Sequence, residues 1–277
     1  MGSNRRGPLE EGGMLQLVQD LREEGAQLYE LLKTLDESDW ERPTPFKNWT
    51  VQDVVEHLHL SDRFAVQSLK SEEDFLKTVA DVAKAIMEEG IDLRAYGRRV
   101  FGSPKPAEIL QLWHDYFMEM CDLLEAADPH ARLKWFGPDM GVRMFATARQ
   151  METWAHGQDI YDLLRVPREN TDRINNIAVI GIKTFGWTFV NRGLEVPPDI
   201  PYVRLTAPSG EIWEWNEPND DNKVEGLATE FCNVVTQGRN IADTQLEVVG
   251  ETATRWMAIA QCFAGGPEDP PKPGQRT

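Results

Sequence analysis

A glutamate and a histidine four residues apart, Glu152 and His156, lie within the stretch Met151 to Asp159. On a helix their side chains emerge within about 40° of each other, one turn apart, so they can share one ion. Arg149 and Asp159 fall on the same arc, which makes an Arg-x2-Glu-x3-His-x2-Asp stripe about 80° wide on a helix flanked by apolar residues. Four ionisable groups on such a face need mutual compensation or a metal, because burying unpaired charge is costly. A third ligand is offered by His57, which shares its helical face with Val54, Leu60 and Phe64. His59 points about 160° away, beside Glu56, Asp62 and Arg63. Two histidines and one carboxylate drawn from two helices leave coordination positions for water or substrate, the arrangement of a catalytic rather than a structural site. The same residues have a bland reading. An i, i+4 Glu/His pair is common on solvent-facing helices, His57 by itself fits a satisfied core histidine, and Arg149 with Asp159 fits an ordinary ion-pair stripe. The tryptophans, Trp113, Trp135 and Trp154 among them, read as core, and His114 and His130 as peripheral.

The elements that must position these residues follow from hydrophobic periodicity. Leu15, Val18, Leu21, Leu28, Leu31, Leu32 and Leu35 keep helical spacing, and Pro43-Thr44-Pro45 marks the loop that follows. Thr50 is a good N-cap for a second helix, with Asp53 at its third position, running through Leu60 to Val66 or beyond. Further helices are predicted over roughly 72–87, 106–126 and 144–164, with Gly97-Arg98-Arg99 and Ser103-Pro104 read as connecting chain. After Pro167 the spacing predicts one more helix from an N-cap at Thr171 to Gly193. A hairpin (203–207 with 211–215), a helix over 225–236, a strand over 244–249 and a closing helix over 255–263 complete the chain. The domains expected are therefore a helical bundle over 14–168 and a smaller α+β domain over 169–266. Disordered tails are expected over 1–13 and over the Pro-rich 267–277.

The chain has 277 residues, with 29 Lys and Arg against 46 Asp and Glu, a formal charge of −17. That field repels phosphate backbones and anionic lipid, so nucleic-acid and membrane partners are not expected. The three cysteines, Cys121, Cys232 and Cys262, are far apart and lack CxxC spacing, which argues against a disulfide framework or a thiolate zinc knuckle and fits a reducing cytoplasm. No apolar run is long enough to span a bilayer and no signal core opens the chain.

Trp49-Thr50-Val51-x-Asp53-x3-His57-Leu58 resembles the opening of the second helix in the DinB-like metal-binding bundles, in particular the mycothiol-dependent maleylpyruvate isomerase branch. Trp135 to Met140 and Phe145 to Asp159 are similar to a subgroup of uncharacterised metal-binding proteins in that superfamily, some labelled "wyosine base formation". Thr236-Gln-Gly-Arg239 and Ala260 to Gly266 resemble the same subgroup's C-terminal region. The resemblance implies an all-α four-helix DinB-like bundle followed by a smaller α+β, sterol-carrier-like domain. It implies a divalent metal held by His57, Glu152 and His156, zinc before nickel, iron or manganese, with an open position for water or a low-molecular-weight thiol. Arg239 matches an arginine that helps bind substrate or thiol, Asp159 would fix a ligand imidazole, and Arg149 would hold Glu152 or an anionic cofactor or substrate. Gly141 and Arg143-Met144 depart from the subgroup's usual residues and alter the expected pocket rim.

The activity expected is that of a cytoplasmic thiol-dependent transferase or isomerase, with a small-molecule substrate and a homodimer as the oligomer to test. Two alternatives belong to other classes. One is a metal-dependent hydrolase or lyase with Asp159 or Asp62 as base; the other is a non-catalytic binder of a hydrophobic ligand in the α+β domain.

Overall fold

Thr50 starts the helix that matters most. Its hydroxyl accepts the Asp53 amide at 3.1 Å and Asp53 Oδ2 accepts the Thr50 amide at 3.0 Å, a reciprocal cap that fixes where the helix begins and hence which way His57 faces. The computed structural model describes residues 13–137 and 139–276. In chain order the first part contains α1 (Gly13–Leu32), α2 (Glu37–Trp40), α3 (Val51–Lys70), α4 (Glu72–Met87), α5 (Leu93–Phe101) and α6 (Pro106–Ala126). A two-stranded antiparallel hairpin, β1 (Arg132–Leu133) and β2 (Met140–Gly141), leads into α7 (Val142–Leu164).

The long helices α1, α3, α6 and α7 form the bundle: α3 packs on α6, α1 on both α6 and α7, and α3 on α7. Their core is Leu17, Leu21 and Leu28 of α1, Val54 and Leu58 of α3, Trp113 and Phe117 of α6 and Phe145 of α7, all 0–1% exposed. The α1–α6 approach is close enough to require Gly25, where a Cβ would lie 2.2 Å from Phe117 Cε1. Helix α7 is buried nearly all round, and its buried set includes Arg149, Gln150, Thr153, His156 and Asp159. A helix with that much polar surface inside a bundle must satisfy it internally.

Helix α5 is absent from the periodicity reading, in which Gly97 and the two arginines after it stand for connecting chain. It forms because Asp92 Oδ1 accepts the Ala95 amide at 2.7 Å as an N-cap.

Contacts divide the chain at Arg165/Val166, with the described residues up to Arg165 forming one compact unit. In the other unit, α8 (Asn175–Lys183) and α9 (Phe185–Val190) stand where one continuous helix is predicted; the interruption falls at Thr184, whose hydroxyl bonds back to Ile180 O and Gly181 O. Then come β3 (Tyr202–Thr206), β4 (Ile212–Trp215), β5 (Lys223–Leu227), α10 (Ala228–Val235), β6 (Glu247–Val249) and α11 (Glu251–Ile259). The sheet order is β4-β3-β5-β6, with β3 and β5 parallel and the other pairs antiparallel. The predicted hairpin is present, with Val203 opposite Trp215 and Thr206 opposite Ile212. The helix predicted to begin at Glu225 begins at Ala228, because Lys223–Leu227 pairs in parallel along β3 and Gly226 takes φ +148. The closing helix begins earlier than predicted, after Gly250, whose φ of +91 and approach to Asp221 O exclude a side chain.

The C-terminal segment has neither helix nor strand, yet it is held rather than loose. Gln237 Nε2 donates to Glu268 O at 2.8 Å, Asn240 Nδ2 to Pro271 O at 2.8 Å, and Arg276 Nη1 to Gln237 O at 2.9 Å. Prolines remove backbone donors but leave carbonyls, and side-chain amides capture these. The expectation of disorder over 267–277 is corrected over 267–276. At the other end, 1–12 of the expected tail lie outside the described residues. Among the described residues no helix is long and apolar enough to cross a membrane.

Candidate metal centre

Helices α3 and α7 bring His57, Glu152 and His156 together. Their candidate ligand atoms all lie within 4.8 Å of one another. Glu152 Oε2 sits between the two imidazoles, 3.4 Å from His57 Nε2 and 3.6 Å from His156 Nε2. His57 and Glu152 are half-buried and His156 is buried, so the donors meet at the edge of the bundle interior rather than on an open face. In the His57 Nε2–Glu152 Oε2 hydrogen bond the imidazole donates to the carboxylate. Burial on its own raises a carboxyl pKa; here the bond from His57 and the charges of His156, His57 and Arg149 outweigh it and hold Glu152 at about 2. Burial lowers His57, more than the contact with Glu152 restores.

The donor set suits a divalent ion. Neutral imidazoles and an ionised carboxylate are what such an ion takes, and the low pKa keeps Glu152 ionised. A second observation supports the fit. His156 Nδ1 is buried without a hydrogen-bond partner, and the nearest carboxylate oxygen, Asp159 Oδ2, stands 3.5 Å away. An ion on Nε2 would leave the proton on Nδ1, directed at Asp159, as metal-bound histidines commonly require.

The loop before α3 supplies an aromatic wall that the sequence reading did not place at the site. The Trp49 ring lies parallel to His156 at 5.9 Å between centroids and edge-on to His57 at 5.2 Å, and Phe46 meets His156 edge-on at 4.9 Å. Lys47 and Asn48, with φ of 49° and 57°, turn the chain so that both rings reach the histidines. The available signal was position: an aromatic next to the N-cap of a ligand-bearing helix.

Arg149 stands elsewhere than expected. Its Nε and Nη2 donate to Asp62 Oδ1 at 3.1 and 2.9 Å, Trp113 Nε1 donates to Asp62 Oδ2 at 3.1 Å, and the Arg149 and Asp62 side chains are 4% and 0% exposed. The guanidinium is therefore turned onto Asp62 and has no solvent face for a cofactor or substrate; it acts on Glu152 through its charge. Asp62, offered by the hydrolase alternative as a base, is closed off by the same contacts. The α3 face assigned to His59 and Glu56 is buried as well, His59 to 1% and Glu56 to 5% exposure, because α5 and α6 cover it: His59 lies 4.7 Å from the Phe101 ring and 5.1 Å from Tyr116. Burial drives His59 down to about 4, so it is a neutral core histidine. Arg239 belongs to the other unit, in the turn after α10, where Nη1 donates to Gly238 O at 2.8 Å.

A four-helix bundle with two histidines and a glutamate on facing helices has the architecture of the DinB-like class. The sequence profile of the mycothiol maleylpyruvate isomerase N-terminal domain matches residues 21–161, which hold all three donors. The chain belongs to that family, as the motifs around His57 and Glu152 suggest. An uncharacterized protein of Mycobacterium tuberculosis, matched alike in two strains, is 36% identical over 254 residues, covering 90% of this chain and 96% of the relative. Crystal structures of the mycothiol-dependent maleylpyruvate isomerase, one of a variant with a histidine replaced by alanine, share the fold. Their TM-score is 0.50 at 12% identity, over 80% of this chain and 88% of theirs.

Proposed function

We propose that this protein is a thiol-dependent enzyme of isomerase or transferase type, acting on a small molecule with the help of a divalent metal held by His57, Glu152 and His156. The observation that carries this reading is the convergence of three ligand atoms within 4.8 Å in a family named for a mycothiol-dependent isomerase. Zinc suits two imidazoles and one carboxylate with positions left open. A bound divalent ion lowers the pKa of a thiol or water that it carries, which supplies a nucleophile at neutral pH.

The chain's own residues do the remaining work. His57 and His156 present Nε2, and with an ion on His156 Nε2 the Nδ1 proton would be directed at Asp159, which would fix the tautomer and the ring. Trp49 and Phe46 exclude water from one side and give the reacting group an apolar wall. Arg149, locked onto Asp62, keeps positive potential at Glu152 without touching the ligand. Arg239 is carried as a substrate- or thiol-binding arginine from the second unit, tested by Arg239→Ala, which should raise KM for the thiol or the substrate and leave metal content unchanged.

The deciding experiment is metal analysis of freshly purified protein followed by cobalt substitution and titration with mycothiol. Stoichiometric metal and a thiolate-induced change in the visible spectrum are expected. Metal-free wild type, or a His57→Ala, His156→Ala double variant that retains full metal, would overturn the site. An unaltered cobalt spectrum at millimolar thiol would overturn thiol use.

A further inference from the structure

The turn after α10 carries Arg239 on a backbone that needs outside support. Gln237 has a φ of 59°, in the left-handed region that residues other than glycine rarely occupy. Gly238 then passes so close to α10 that a Cβ on it would lie 2.8 Å from Asn233 Oδ1. The Arg239 amide closes the turn on Asn233 O at 3.1 Å, and Arg239 Nη1 donates to Gly238 O at 2.8 Å, so the guanidinium takes its direction from the turn. A backbone of this kind persists only where its surroundings over-determine it.

The surroundings that do so here are residues 267–276, which bracket Arg239 from both sides. Two positions before it, Gln237 is clamped through its side chain and its carbonyl: Nε2 donates to Ala260 O at 3.0 Å and to Glu268 O at 2.8 Å, and the carbonyl accepts from Arg276 Nη1 at 2.9 Å. One position after it, Asn240 Nδ2 donates to Pro271 O at 2.8 Å. The segment is also tied down away from the turn, by Arg192 Nη1 on Asp269 Oδ1 and by the Gly274 amide on Asp243 Oδ1, each at 2.8 Å. Its four prolines limit the freedom it loses on docking. Gln237 and Arg276 are each only 7% exposed, so their bonds form out of reach of water, where losing one partner leaves a buried polar group unmatched.

We propose that Gln237 and Arg276 are positioning residues: through them the segment 267–276 acts as a strap that sets the turn, and with it the direction of the Arg239 side chain. This deepens the proposed function and rests on its reading of Arg239 as a substrate- or thiol-binding arginine. The first test is amide hydrogen exchange in the full, metal-loaded, 15N-labelled chain. In Arg276→Ala the Arg239 amide should exchange about tenfold faster than in wild type, while the amides of β3 and β5 keep their rates. Asn240→Asp retains the acceptor for the Ala242 amide and loses the donor to Pro271 O, so it should act in the same direction from the other side of the turn. Unchanged exchange at Arg239 in Arg276→Ala overturns the strap. So does an acceleration shared equally by β3 and β5, which would make the segment a general stabiliser.

The second test is one that a merely structural role would not move, the titration of cobalt-substituted protein with mycothiol. Arg276→Ala should raise the half-saturating thiol concentration severalfold with the spectrum at saturation unchanged, and should add nothing further in an Arg239→Ala background. Effects of the two substitutions that simply add overturn positioning. If Arg239→Ala alone leaves the titration unchanged, Arg239 is removed from thiol binding; that failure belongs to the proposed function, and the strap is then decided by the exchange rates.

Discussion

Helices α3 and α7 carry two polar clusters that are built in opposite ways. Asp62, Arg149 and Trp113 form a closed set: a carboxylate meets a guanidinium through two nitrogens and an indole N–H, all buried. His57, Glu152 and His156 form an open set, with contacts of 3.4 and 3.6 Å and a His156 Nδ1 that bonds to nothing. The closed set spends its charges on itself and joins the two helices; the open set leaves its donor atoms more loosely engaged, as the proposed metal would require. One helix pair thus separates holding the site together from using it, and the connection between the clusters is the field of Arg149 at Glu152.

That distinction breaks if the open set tolerates loss of a donor. The largest expected effect is on metal content: His57→Ala or His156→Ala should reduce it to background in dialysed protein while the fold, read by circular dichroism, persists. The closed set should behave in the reverse sense. Asp62→Leu alone leaves the buried Arg149 charge unpaired and should destabilise by about 4 kcal/mol in chemical denaturation, whereas Asp62→Leu with Arg149→Met should recover most of that loss. A double variant as unstable as the single one would show that the pair is more than self-neutralisation. Between these lies Asp159→Asn, expected to weaken metal affinity by about 10–100-fold, since Asp159 Oδ2 stands 3.5 Å from His156 Nδ1.

The open cluster was more legible in the sequence than the closed one. Glu152 and His156 announce themselves by i, i+4 spacing, and the Thr50 cap fixes the phase of α3, so the face of His57 follows from counting residues. Asp62 also lies on α3, but its partner is Arg149 on another helix, and no spacing within one element reveals a pairing across 87 residues of chain. Trp49 and Phe46 were hidden for a different reason: they reach the histidines through a loop turned by Lys47 and Asn48 in left-handed conformation, which neither periodicity nor propensity marks. The buried state of Glu56 and His59 depends on α5, whose Gly97 and paired arginines read as a break. In the second unit the alternating Tyr202–Thr206 and Ile212–Trp215 gave a readable hairpin, whereas Lys223–Leu227, with two charges and a glycine in five residues, becomes a strand only through its parallel pairing with β3.

The smallest effect expected, and the one that compares the clusters most directly, is the pH dependence of metal-free protein. Glu152 is depressed to about 2 in the folded chain from an ordinary 4.5, so the unfolded state binds the proton more readily. Its contribution to stability is present above about pH 4.5 and is lost as pH falls towards 2. Burial instead pushes Asp62 up from 3.8 to about 6, against the pull of Arg149 and Trp113. Here the folded state binds the proton more readily, so the contribution of Asp62 is largest below about pH 4 and declines as pH rises to about 6. Melting midpoints of chelator-treated wild type and Glu152→Gln should therefore converge as pH falls through the lower window. Wild type and Asp62→Asn should instead agree at low pH, where both side chains are neutral, and wild type should fall below the variant as pH rises through the upper window. If both differences moved the same way with pH, the two clusters would share one electrostatic character, and the division between a set that closes on itself and a set that waits for a ligand would fail.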